Sequence, residues 1–414
     1  MERISARETT TTMAPDTAAP GRASPSKRPS LLLLVGLAAI GPFGMNVVVP
    51  AMPALARVFE TSYGVMQLVL TAYLAATAAI QLVLGPLSDR FGRRPVILVG
   101  LGIYLLGSVV CACATTVEVL IAGRVIQAAG ACAGLVIGRA IIRDVFGREQ
   151  AASNIGYVTM AMVVAPMLAP AVGGYLFDHQ GWQAMFWLSL LMGLVILGCS
   201  LRYLHETRQP NLDGEVSLSW SAVLGLLRDR SFCGYTIVLA CSSGVFFTFL
   251  AGAAYVVTEI MDRPASEYGL YFILSAVGYI IGNFLSGRYA VRVGLQRMIA
   301  VGCGFAAVGL VLLWGLSGIS HTAALFGPMF VLAISNGLIL PSAMASAVSA
   351  RPRLAGTAAG IAGSVQIGLG ALLAFLVGVL QEGSHNAAPM MIIMTLAGVA
   401  SFAGFTMTRH SRGL

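Results

Sequence analysis

From residue 31 to residue 408 the chain alternates long apolar runs with short polar interruptions. Twelve of these runs can each cross ~30 Å of hydrocarbon at ~1.5 Å of helix rise per residue. They lie near 31–54, 64–86, 95–114, 117–140, 151–177, 183–203, 233–257, 267–287, 297–316, 322–348, 354–380 and 387–408. Inside lipid the backbone has no water to bond, and no run shows the alternation of a barrel strand, so each is predicted to be a helix. The expected fold class is all-α: a polytopic membrane protein with twelve transmembrane helices in two six-helix, pseudo-symmetric bundles.

The polar interruptions say how the runs are joined. The densest charge in the first 120 residues, outside the N-terminal tail, is Gly85-Pro86-Leu87-Ser88-Asp89-Arg90-Phe91-Gly92-Arg93-Arg94-Pro95. It reads as a hairpin between spans two and three. The block recurs in faded form 202 residues later, with Gly287, Arg292 and Gly294 in register with Gly85, Arg90 and Gly92, and Val291 in place of Asp89. An offset of half the chain implies two parallel repeats of one helical unit. Residues 205–232 contain the longest polar gap and are taken as a cytoplasmic linker between bundles at 31–204 and 233–408. Residues 1–30, rich in Thr, Ala, Pro and Ser, are expected to be a disordered cytoplasmic tail, with a second tail at 409–414. Lys27 and Arg28 ahead of Leu31 imitate a signal peptide, but the later spans favour an uncleaved first helix.

Composition then removes whole classes. With 57% hydrophobic and 10% charged residues and a mean hydropathy of +0.84, the chain cannot clothe a water-soluble globule. A net charge of +8 is no nucleic-acid footprint, because the basic residues stand singly in short gaps and never interleave with aromatics. Of the 25 Lys and Arg, all but Arg57, Arg124 and Arg263 fall on one side if the N-terminus is inside, which predicts that both termini are cytoplasmic. The seven cysteines lie in or at the ends of predicted spans, and Cys111 and Cys113 point roughly 200° apart on a helix. The five histidines sit in loops or at span ends. No catalytic metal, cofactor or nucleophile with its base is therefore expected, and no enzyme.

Twelve spans, the parallel repeat and the Gly85 to Pro95 block together resemble the major facilitator superfamily, whose loop between helices 2 and 3 reads G-x-L-x-D-R-x-G-R-R. Arg124-Val125-Ile126-Gln127-Ala128-Ala129-Gly130 is similar to that superfamily's R-x-x-Q-G-x-G signature in helix 4, with Ala128 in place of a usual glycine. Ala165-Pro166 and Ala169-Pro170-Ala171-Val172-Gly173-Gly174 look like the helix-5 motif of its drug antiporters. Arg139 through Asp144 and Gly181-Trp182-Gln183-Ala184-Met185-Phe186 resemble the bicyclomycin and chloramphenicol resistance (Bcr/CflA) subfamily. The resemblance covers nearly everything after residue 30 and is strongest in the first half. It implies a bacterial inner-membrane exporter working by alternating access in exchange for protons, with a small-molecule substrate, and a monomer is expected.

Each motif also has its own physics. Gly85 and Gly92 permit close approach at a tight turn, and Asp89 can face the N-terminus of span eleven, near Arg353 and Gly356, where partial positive charge favours an anion. If Arg93 or Arg90 also meets Asp144, then Gly85, Asp89, Arg90, Gly92, Arg93, Arg94 and Asp144 form a cytoplasmic latch between the halves; otherwise the charges only fix the loop inside. Arg124 lies ~10 Å below the outer surface by helix rise, and a cation at that depth should face inward. It is either a contact for substrate or proton, or a strut bonded to carbonyls and to Gln67 or Asn46. Gly130, Gly134 and Gly138 give one side of span four a close-packing stripe. Pro166, Pro170, Gly173 and Gly174 bend span five, as a rocking or sealing hinge or as an ordinary kink.

Span one departs from the subfamily. Many of its drug:proton antiporters carry an acid and a tyrosine four and two residues before a proline, where this chain has Asn46 and Val48 before Pro50. All 17 acidic residues lie in tails, loops or span ends, with Glu118 and Glu259 at the outer rim as the weak candidates for titration. A pocket with arginine and no acid disfavours lipophilic cations and suits neutral or weakly anionic solutes. Because helices 1, 4, 7 and 10 line the cavity in this superfamily, the resemblance implies Asn46, Arg124, Gln127, Phe246, Phe247, Phe249 and Asn336 as contacts. The expected function is efflux of small amphipathic drug-like compounds. Transport of a metabolite such as an amino acid or sugar, and a receptor or scaffold role, stand as the alternatives.

Overall fold

The computed structural model describes residues 29–145, 165–207, 225–351 and 354–410. Within these residues the chain is helical with no strand. The helices are α1 (Leu31–Val58), α2 (Tyr63–Phe91), α3 (Arg93–Ala112), α4 (Val117–Val145), α5 (165–180), α6 (Gln183–Tyr203), α7 (Arg230–Ile260), α8 (Ala265–Val293), α9 (Leu295–Gly315), α10 (Thr322–Ser349), α11 (Ala355–Gln381) and α12 (Ala388–His410). Eleven are long and apolar enough to cross a membrane, and the expected span at 151–177 is described only from residue 165, where α5 begins. The expected first tail and most of the linker lie outside the described residues.

A proline-directed break shapes α1, and a glycine turn ends α2. Regular helix in α1 ends at Asn46, a 3-10 turn covers Val49–Ala51 around Pro50, and helix resumes at Met52. Pro50 and Pro53 lack the N–H that would continue the ladder, so the carbonyls before them need other donors. At the far end of α2, Gly92 takes φ +97°, a conformation only glycine adopts without strain, and α3 starts at the next residue.

The 202-residue offset seen in the sequence recurs in the backbone. Gly294 (φ +91°) ends α8 as Gly92 ends α2, and Asp262 (φ +53°) stands before α8 as Glu60 (φ +48°) stands before α2. Gly100 and Gly107 of α3 pack against α4, as Gly302 and Gly309 of α9 pack against α10. The Gly130, Gly134 and Gly138 stripe serves two neighbours rather than one: Gly130 abuts α3 at Tyr104, Gly134 abuts the Leu37 carbonyl of α1, and Gly138 has nothing close. A spacing of four residues drifts ~40° per step around a helix, which carries the stripe from one partner to the next.

The helices before and after residue 207 meet at one end of the molecule and part at the other. At the end carrying Arg57, one apolar cluster joins both sets, from Val47, Met52 and Tyr63 to Val256, Tyr268 and Phe272. At the end carrying Asp89 the clusters are separate, one built on Leu34, Ile97 and Ile141 and the other on Phe232, Ile299 and Ala343. Helices α2 and α11 follow the same rule. They are tied by Gln81 Nε2 to Ser364 Oγ at 3.0 Å, whereas nearer the Asp89 end a Cβ added to Gly85, Gly360 or Gly363 would meet nothing within 4 Å.

Candidate functional site

Between the two helix sets, above the divergence, lies a cavity of about 270 Å³. Its wall comes from α1, α2, α4, α5, α7, α8, α10 and α11, with Met45, Tyr73, Pro166, Phe246, Phe247 and Ile367 among its apolar surfaces. Polar groups are sparse: Thr77, Ser243, Ser275, Tyr279, Asn336 and Gln366. Several are spent within the protein, since Tyr73 Oη donates to Gly41 O at 3.0 Å, Thr77 Oγ1 to Tyr73 O at 2.8 Å, and Gln366 Nε2 to Ser243 Oγ at 3.2 Å. Ser275 Oγ is buried without a hydrogen-bond partner among the described residues. Among those residues, no acidic or basic side chain lines the cavity. Such a wall holds an apolar body and orients it through a few neutral hydrogen bonds.

Of the seven contacts expected from the sequence, the cavity brings together Phe246, Phe247 and Asn336. The other four stand behind its wall. Phe249 is buried against Phe326, ring centroids 5.1 Å apart. Asn46 donates to Pro42 O at 2.8 Å and is fully buried. Arg124 is fully buried too, its Nη1 donating to Gly44 O at 2.7 Å and to Gln127 Oε1 at 2.6 Å, its Nη2 to Met45 O at 3.2 Å and its Nε to Val69 O at 3.3 Å. Gln127 Nε2 donates in turn to Ser108 Oγ at 2.9 Å, and the guanidinium lies 4.3 Å from the Tyr73 ring centroid. Gly44 and Met45 are in the last turn of α1 before the break, where orphan carbonyls and the negative end of the helix dipole attract a cation. The arginine is thus a strut to backbone carbonyls, screened from the cavity by Tyr73 and Met45. Its amide partner is Gln127 rather than Gln67 or Asn46.

Gln67 has different work at the Arg57 end, where it and Tyr63 both donate to Ala251 O, at 3.1 and 2.7 Å. Arg57 pairs with Glu259, and these two positions are themselves 202 residues apart. A residue that touches its own repeat counterpart lies next to the axis relating the repeats. Two further carboxylates cross between the helix sets in matching fashion. Asp178, at the end of α5, accepts from Ser266 N in the first turn of α8 at 3.0 Å. Glu382, just after α11, accepts from Gly64 N in the first turn of α2 at 3.1 Å. Ser266 and Gly64 are 202 residues apart, so each set of helices supplies an anion to the equivalent helix N-terminus of the other. The α5 motif completes this end: a Cβ on Gly173 would strike the Val47 carbonyl, and one on Gly174 the Ala265 carbonyl.

At the Asp89 end, several loop contacts stay within the first helix set. Asp89 pairs with Arg93 at 2.6 Å, Arg93 Nη1 also reaches Ser88 Oγ at 2.5 Å, and Gly85 approaches nothing closely. At this end Glu206, beyond α6, serves the start of α3, accepting from Arg93 N at 2.9 Å and Arg94 N at 3.1 Å. Arg94 Nη2 donates to Leu201 O at 3.3 Å. The side chains of Asp144 and Arg353 lie outside the described residues. Glu206 was not singled out by sequence reasoning, nor were Asp178 and Glu382, although each follows closely on an apolar run.

The sequence profile of the Major Facilitator Superfamily matches residues 34–375. The bicyclomycin resistance protein homolog of Haemophilus influenzae is 28% identical over 91% of this chain and 94% of its own. Multidrug resistance protein D of Escherichia coli is 29% identical over 89% of this chain and 93% of its own. Among solved structures, a bacterial homolog of the human lysosomal transporter Spinster, inward-facing and unoccupied, superposes with a TM-score of 0.72 at 15% identity, covering 92% of this chain and 96% of that one.

Proposed function

The chain belongs to the major facilitator superfamily, and from that premise we propose that it is a Bcr/CflA-type drug exporter whose substrate is a small, neutral, amphipathic compound. The observation that carries this reading is the central cavity, an apolar wall with neutral hydrogen-bonding groups and no charge among the described residues. An acid in such a wall would favour lipophilic cations; a solvated arginine would favour anions. Neither lines it. The Arg124 donors are engaged by carbonyls and Gln127, so the reason for expecting weak anions is gone and neutral solutes remain. The names of the relatives, which speak of bicyclomycin and multidrug resistance, support a drug rather than an amino acid or sugar as cargo.

The arginine bias supports an Asp89 end at the cytoplasm of a bacterial inner membrane, with both termini on that side. With that orientation the molecule is closed outward, and the cavity is reached from within. Transport requires the Arg57 end to open and the Asp89 end to close. In that second state the Gly85 to Arg94 loop and Asp144 act as the latch, Asp89 exchanging its partner within the loop for one across the cleft. Proton exchange as the driving force follows from the resemblance; the protein is read as a monomer.

Uptake into inverted vesicles tests the proposal, using a neutral and a cationic drug with and without an imposed pH gradient. Gradient-dependent uptake of the neutral compound, reduced at least ten-fold by Phe246→Ala, is the expected result. Uptake of the cation alone would overturn the substrate class, and gradient-independent uptake would overturn the coupling.

A further inference from the structure

A second cavity, of about 410 Å³, lies outside the central one, in a crevice between α9 and α12 whose floor is formed by α7 and α10. Its rim faces lipid: Val311 is 71% exposed, Val399 63% and Phe402 57%. The repeat shows what opens the crevice. Gly100 and Gly107 of α3 correspond to Gly302 and Gly309 of α9, so Tyr104 and Leu105 correspond to Ala306 and Ala307. In the first helix set Tyr104 is fully buried, and it and Leu105 press on Gly193 of α6. Two alanines in their places leave the equivalent space between α9 and α12 unfilled. Towards the Arg57 end the gap is closed, where Leu310 lies against Gly398 and Trp314 Nε1 donates to Thr395 Oγ1 at 3.0 Å.

The floor carries a second asymmetry. Gly134, which seats α4 on the Leu37 carbonyl of α1, stands 202 residues before Asn336. Asn336 is 4% exposed and its amide makes no hydrogen bond among the described residues, although its neighbours Ser242 and Ser401 bond each other at 2.8 Å and Ser335 donates to Gly302 O at 2.8 Å. This amide has unused hydrogen-bonding capacity, and it borders both the crevice and the central cavity. Among the described residues no charged side chain lines the crevice.

We propose that the crevice between α9 and α12 is a second binding site for an uncharged amphiphile dissolved in the bilayer, which lays its apolar body against Ala306, Ala307, Val399 and Phe402 and hydrogen-bonds the Asn336 amide. An acyl chain fits the walls but offers nothing to the amide. An ion of either sign would find no counter-charge. A small alcohol or amide satisfies both features, and its occupancy is read without transport, so failure here is distinguishable from failure of the drug reading.

The test is photolabelling of the full chain in lipid nanodiscs with the diazirine alcohol 3-azioctanol, read by mass spectrometry of peptides. Saturable adducts on α9 and α12 are expected, displaced by 1-octanol and not by decane. Asn336→Leu, which removes an unbonded polar group and leaves the packing, is expected to lower their yield about five-fold, the loss of one hydrogen bond. Ala306→Tyr, which restores the side chain found in the first helix set, is expected to abolish them. Labelling that rises without saturation and equally on α3 and α6 would overturn the proposal. So would adducts lost in Ala306→Tyr but unchanged in Asn336→Leu and displaced equally by decane, the signature of a crevice holding bilayer acyl chains only.

Discussion

At the scale of the residue, Arg124 shows how a buried cation is kept without an acid. Three backbone carbonyls and one amide oxygen surround the guanidinium, and the break in α1 is what frees two of those carbonyls. Replacement by Met leaves the carbonyls unbonded at roughly 1–3 kcal/mol each, so Arg124→Met should lose folded, membrane-integrated protein. Lys carries the charge but lacks the planar fork, and Arg124→Lys should fold with a lowered melting temperature and transport in proportion to the folded fraction. A substrate contact would give the opposite pattern, normal melting with transport lost; fluorescence-detected thermal stability beside vesicle uptake separates the two. The depth and inward facing of this residue were legible in the sequence, because lipid leaves an arginine few choices. Its direction was not, since that depends on carbonyls released 79 and 80 residues earlier in the chain.

At the scale of the element, spans were legible and their contacts were not. Hydropathy marks each helix because the bilayer imposes its length, and the loop glycine at position 92 was legible because a two-helix turn needs positive φ. Gly173 and Gly174 were legible as a motif, but only the fold shows that one packs within the first helix set and the other against α8. This distinction makes a prediction. Gly174→Ala should leave expression and insertion normal while preventing full closure of the Arg57 end, read as increased reactivity of a cysteine placed at Ser266 towards an impermeant maleimide. Gly173→Ala should instead destabilise the first helix set, lowering yield. At the other end, Asp89→Asn breaks an exposed bond to Arg93 that contributes little stability by itself. If the latch forms when the cleft closes, this substitution slows cycling without reducing expression, whereas normal efflux at normal expression would confine Asp89 to its own loop.

At the scale of the molecule, closure of the Arg57 end rests on contacts that respect the repeat. Arg57 and Glu259 meet beside its axis, and Asp178 and Glu382 exchange places across it, each at an N-terminal turn of the opposite set. Pro264 precedes α8 and has no side chain to cap it, so Ser266 N depends on Asp178 for its anion. At the start of α2, Ser62 caps Val65 N and leaves Gly64 N to Glu382. Loss of a helix cap typically costs ~1 kcal/mol. Opening this end breaks both caps in any case, so removing them destabilises the closed state and leaves the open one untouched. The double variant Asp178→Ala, Glu382→Ala should therefore shift the two-state balance by about 2 kcal/mol, roughly thirty-fold, towards the outward-open form. Spin labels on Val58 and Met261, outside the seal and on opposite sets, would report this as a longer distance population in pulsed electron resonance. Each single variant should give about half the free-energy shift, because the two caps lie on separate helices and share no partner. A distance distribution unchanged in the double variant would mean that the two caps do not hold the end shut, and that closure rests on the apolar cluster around Tyr63, Tyr268 and Phe272 with the Arg57–Glu259 pair and the bonds to Ala251 O.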